Sequence, residues 1–129
     1  MSVDGDLHAA LMARVETLSG FTLVYPSLEQ NEPEGEYVRV SHLPNDNQRV
    51  GLKDTDPLRR RGFIVLTLCS PLGEHEAVYR DRAGNIAAHF TGQVFDYVED
   101  TVSVHSVTVK PGRRERNHWE TPVWVDYRN

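Results

Sequence analysis

The run FIVLTLC, Phe63 to Cys69, is the most β-prone stretch of the chain, and what surrounds it decides the fold. A nearly continuous apolar run of this length predicts a strand buried on both faces, hence a central one. Ser70-Pro71-Leu72-Gly73 ends it. Tyr79, Ala83, Ile86, Ala87 and Phe90 then recur at spacings of three and four, which predicts an amphipathic helix closing before Gly92. Gly84, inside that helix, either weakens it by about 1 kcal/mol relative to alanine or marks close packing.

Working outward, Leu7, Leu11, Val15 and Leu18 predict a first helix, with Asp4 or Asp6 as its cap and Gly20 as its stop. Phe21 to Tyr25 reads as a short strand ended by Pro26. Ser27 to Glu36 is a polar loop, followed by a strand with Val38 and Val40 that ends near Leu43-Pro44. Residues 45–62 form an expected mobile loop, with a short strand around Gln48 to Leu52 and a tongue from Lys53 to Gly62. Long loops in small domains tend to carry function. Toward the C-terminus, the valines of Val102 to Val109 change phase across His105-Ser106, which predicts a bulge or a strand buried on both faces. Pro122 to Tyr127 alternates, and Pro122 belongs at its start or on an edge, having no N–H to give a ladder. The expected class is α+β: a mixed, mostly antiparallel sheet packed against two helices, in one domain spanning residues 1–129.

With 129 residues, 39% hydrophobic and 26% charged, the composition is that of one globular domain. Asp4 and Asp6 stand where a secretory signal would be basic, and the longest apolar run is too short to cross a bilayer, so a soluble, unexported chain is expected. A single cysteine cannot form an internal disulfide. Fourteen Lys+Arg against nineteen Asp+Glu give a net charge of −5, a poor balance for gripping phosphate backbones.

The chemistry-bearing residues form no recognised motif. His8, His42, His75, His89, His105 and His118 are scattered, none sits at ligand spacing from Cys69, and no metal or cofactor site is expected. Cys69 reads as a small buried hydrophobe. No Gly-x-Ser-x-Gly elbow and no phosphate-binding glycine loop is present, and close carboxylate pairs such as Asp54 and Asp56 are ordinary among nineteen acids. Two basic clusters remain, Arg59-Arg60-Arg61 and Arg113-Arg114 with Arg116. Each reads either as a contact for an acidic partner or as a solvated flank that keeps neighbouring strands from aggregating. Trp119 and Trp124 are candidates for binding or for subunit packing.

The order of these segments carries a resemblance. An N-terminal helix leads to Tyr25-Pro26, the strand Glu36-Tyr37-Val38-Arg39-Val40 and a tongue. Then come the Arg61 to Leu68 strand, a helix with Ile86-Ala87-Ala88-His89-Phe90, and the closing stretch Trp119 to Tyr127. From Leu7 to Tyr127 this resembles the tail terminator proteins (minor tail or tail-completion proteins) of long-tailed bacteriophages and prophages. The resemblance implies a non-enzymatic virion-assembly protein whose hexameric ring caps the tail tube, ends its elongation and supports head-tail joining. Implied partners are further copies of itself, the tail tube protein and the head-tail connector protein, with DNA only passing through the ring and no membrane. Assembly in the bacterial cytoplasm is implied with it. Asp54, Asp56, Arg59, Arg60, Arg61, Trp119 and Trp124 become the expected interface residues. The alternatives are a connector or other neck protein, or a small ligand-binding or enzymatic α+β domain with a pocket built from histidines and Tyr79 or Tyr97.

Overall fold

In the computed structural model, which describes residues 3–28, 33–44, 48–49, 58–59, 61–97 and 100–128, the apolar run lies within an eleven-residue strand, Arg61–Pro71. The elements in chain order are α1 (Val3–Glu16), β1 (Leu23–Val24), β2 (Tyr37–Pro44), β3 (Gln48–Arg49), β4 (Leu58–Arg59), β5 (Arg61–Pro71), α2 (Glu76–Phe90), β6 (Val94–Tyr97), β7 (Asp100–Val109), β8 (Arg113–Glu115) and β9 (His118–Arg128). Seven strands make one sheet in the order β1-β2-β5-β9-β7-β6, with β8 attached to β9. Every pairing in it is antiparallel except β1 with β2. The fold is α+β, and β5 is central as its composition requires.

Strand alternation divides the sheet into two unlike faces. Ile64, Leu66 and Leu68 of β5, Val38 and Val40 of β2, and Val123 and Val125 of β9 share one face. They are buried in the main core with Leu7, Leu11 and Val15 of α1 and Ala83, Ile86 and Phe90 of α2. Both helices therefore cover the same side. Val24, Tyr37 and Cys69 form a small separate cluster on the other side, which carries no helix among the described residues.

Four expectations are corrected. Helix α1 begins at Val3, so Asp4 and Asp6 lie within it and not at a cap; acids in a first turn are favoured there by the helix dipole. Leu18 is buried, but in the turn after the helix. Pro122 sits inside β9, which is paired on both sides. The Pro122 carbonyl accepts from Lys110 N at 2.8 Å, so its missing N–H would point to the same side, where β7 has ended and β8 has not begun. The proline therefore costs at most the one reciprocal bond to Lys110, at the very end of the β7 ladder. Finally, β6 and β8 were not expected at all.

The bulge appears where the valines change phase: pairing of β7 with β9 slips between Val104 and Ser106. In the expected loop, the backbones of β3 and β4 pair antiparallel, Gln48 with Arg59 and Arg49 with Leu58. Residues 45–47, 50–57 and 60 lie outside the described residues, and most of the expected tongue with them.

Gly84 is not held by close packing, because a Cβ there would meet nothing within 4 Å. Gly84→Ala should therefore stabilise the protein by about 0.5–1 kcal/mol, removing backbone freedom from the unfolded chain without a clash. Urea unfolding would show it as a higher midpoint at unchanged slope.

Candidate interaction surface

The uncovered sheet face concentrates the unusual side chains of the molecule. Cross-strand register places Arg39 of β2, Thr67 of β5 and Pro122 of β9 in one row, and Tyr37, Cys69 and Glu120 in the next. Glu120 is a buried carboxylate, with its side chain 5% exposed. Arg39 donates to both of its oxygens at 3.2 Å, and His118 Nε2 lies 2.9 Å from Oε2. Arg113, across from Glu120 on β8, approaches Oε1 at 3.9 Å and also pairs with Glu115 at 3.4 Å. Burial alone would raise the Glu120 carboxyl, but the hydrogen bonds from Arg39 and His118 outweigh it and hold the group below its ordinary value.

Cys69, His118 and Glu120 bring a thiol, an imidazole and a carboxylate within 4.8 Å of one another. Sequence spacing could not show this, since Cys69 and Glu120 meet only through β5–β9 register. The donor set is nonetheless spent: Arg39 occupies both carboxylate oxygens, and a cation would have to displace it against two guanidinium groups. The arrangement is a satisfied buried ion cluster.

Beside this cluster the face turns aromatic. Phe63 and Trp124 meet edge to face with centroids 5.1 Å apart, and the Lys110 ammonium sits 5.4 Å from the Trp124 ring centroid. Both rings are half-buried, and Leu43, paired with Phe63, is 45% exposed. A shallow groove of about 370 Å3 runs between Arg39, Lys110, Arg113 and Trp124 over a floor of Val65 and Thr67.

Of the residues singled out in the sequence, Arg61 and Trp124 both project from this face, Arg61 exposed at its end opposite Arg128. Trp119 faces the other way: its ring stacks on Tyr79 with centroids 6.3 Å apart, and its buried Nε1 lies against Gly112 without a hydrogen-bond partner among the described residues. Arg59 belongs to β4; Asp54, Asp56 and Arg60 lie outside the described residues.

A second polar chain links α1 to the sheet on the covered side. His8 Nδ1 and His42 Nδ1 are 2.8 Å apart, and His42 Nε2 is 2.6 Å from the buried Tyr127 hydroxyl. Burial, with His8 beside it, pushes the His42 imidazole down to about 4. The folded protein therefore binds fewer protons here than the unfolded chain between about pH 6.5 and 4. Stability is complete above that window and falls as pH drops through it. The ring is only partly buried, so the discounted loss is about 1–2 kcal/mol. Comparing unfolding at pH 7 and pH 4.5 in the native chain and in His42→Gln should show a smaller pH effect in the variant.

The subunit is thus a two-layered α+β domain, with helices on one face of the sheet and the Arg39–Glu120 ion cluster and the Phe63–Trp124 pair on the other. The sequence profile of the phage tail terminator protein family matches residues 6–127, and the chain belongs to that family: it is a structural protein of the phage tail. Among solved structures three chains match. One, whose title gives a sequence identifier and no activity, superposes with a TM-score of 0.77 at 18% identity over 99% of this chain and 95% of its own, a likeness of fold alone. No curated protein sequence matches significantly.

Proposed function

We propose that residues 1–129 act as one domain that assembles into a six-membered ring on the end of the finished tail tube, stops tube growth and presents the surface to which the head docks. Membership of the tail terminator family is the observation that carries this reading. A closed ring requires two different contact faces on each subunit, and a sheet with one helix-covered and one open face supplies them. No catalytic role is assigned, because the polar clusters of the described face are occupied by mutual pairing.

The partners in this reading are further copies of the chain, the tail tube protein and the head-tail connector protein. DNA passes through the ring without being held, in keeping with a net charge of −5. Assembly takes place in the bacterial cytoplasm. Asp54, Asp56, Arg59, Arg60 and Arg61 of the tongue are assigned to contacts with a neighbour or the tube, as is Trp124, with Trp119 as a further contact. Purified tubes grown with and without the protein test the function. Tubes of bounded length, carrying the protein at one end, are expected when it is present; unchanged lengths and no end labelling would overturn the reading.

A further inference from the structure

Charge pairing on the two sides of the molecule is incomplete in opposite senses. On the open sheet face, the described acids are taken: Glu120 by Arg39, Glu115 by Arg113 and Asp126 by Arg128 at 3.3 Å. Arg61 and Lys110 are left with no acidic partner among the described residues. Arg61 moreover stands directly across from Arg128, a cation whose own partner is Asp126, so its cross-strand neighbour offers it no counter-charge. These cations flank the apolar patch of Leu43, Phe63 and Trp124.

The start of α2 shows the reverse. Arg80 pairs with Glu76 and Arg82 with Glu36, while Glu74 and Asp81 have no cationic partner among the described residues. Leu72 and Val78 beside them are 39% and 41% exposed. Each surface thus has an apolar part flanked by unmatched charge, one positive and one negative.

We infer that the open sheet face of one subunit receives the Leu72–Arg82 region of a second copy of the chain, with Arg61 and Lys110 meeting Glu74 and Asp81. The inference rests on the ring reading and identifies its two joining faces. Such a contact is heterologous, as a closed ring demands, and its charges set orientation while the apolar parts supply burial. The alternative occupant, nucleic acid, fits less well. Three arginines of this face are already held by Glu115, Glu120 and Asp126, which leaves Arg61 and Lys110 to meet phosphate, in a chain of net charge −5.

The test is a charge exchange on exposed residues. Arg61→Glu with Lys110→Glu, and separately Glu74→Lys with Asp81→Lys, should each weaken self-association at least about tenfold while far-ultraviolet circular dichroism and melting stay native. Combining all four reversals restores opposite signs at the contact and should recover assembly, as should mixing the two double variants. Masses would be read by light scattering over a concentration series, with and without tail tubes. If the native chain forms rings and neither double variant disturbs them, this pairing of faces is wrong and the ring stands. If the native chain stays monomeric in both conditions, the ring reading falls and the pairing with it. DNA retention lost in Arg61→Glu/Lys110→Glu, with assembly unchanged, would overturn the pairing in favour of nucleic acid.

Discussion

Gly62→Ala should destabilise the protein by about 2–4 kcal/mol, among the larger effects a single methyl group can have. Gly62 is buried in β5, between Pro44 of β2 and Tyr127 of β9. A Cβ there would lie 2.6 Å from the Leu43 carbonyl oxygen, 2.7 Å from the Tyr127 hydroxyl and 2.9 Å from the Pro44 Cα. Two of these atoms are backbone of the adjoining strand and cannot rotate away. Moving the third breaks the contact between Tyr127 and His42. Relief therefore requires the end of β2 to separate from β5, which also shifts Leu43 on the open face. Urea unfolding gives the measurement, with Gly84→Ala as its internal control: the same substitution should lower the midpoint at position 62 and raise it at position 84. A loss at Gly62 below about 0.5 kcal/mol would show that β2 yields freely.

The contrast between those glycines also shows what the sequence can and cannot disclose. Periodicity is a local property, so the Phe63–Cys69 strand, both helical faces and the phase change at His105 were all legible. Gly62 and Gly84 look alike in the sequence, because crowding depends on strands brought alongside from elsewhere. Pro122 misled for the same reason. A missing N–H is harmful only where a partner strand faces it, and the break between β7 and β8 lies outside any window around Pro122. The four residues of β6 and three of β8 are too few to show alternation. The buried ion cluster was hidden more completely. Arg39, Cys69, His118 and Glu120 come from three strands, and their meeting is a consequence of register. The open face was likewise foreshadowed only by single residues, Arg61 and Trp124, with no pattern joining them.

Arg39→Met should destabilise the protein by about 2–3 kcal/mol at pH 7, the long apolar side chain preserving packing while the charge is removed. The loss comes from what is left behind. Glu120 keeps His118 and the more distant Arg113, but loses the two hydrogen bonds that served both its oxygens. An incompletely paired buried carboxylate costs more than the intact pair contributes. Because the native Glu120 carboxyl is held below 4.5, its contribution is fully present above that value and disappears as pH falls through the lowered one. The destabilisation in Arg39→Met should therefore be large at pH 7 and shrink in acid, where the carboxyl is protonated in both proteins. Arg39→Met combined with Glu120→Gln should recover part of the loss at pH 7, since a neutral amide needs no counter-charge. A double-mutant cycle separates the coupling from the two single effects. Equal losses at pH 7 and pH 3 would show that Arg39 acts through packing alone. The cluster's charge pairing would then be incidental to the stability of the sheet.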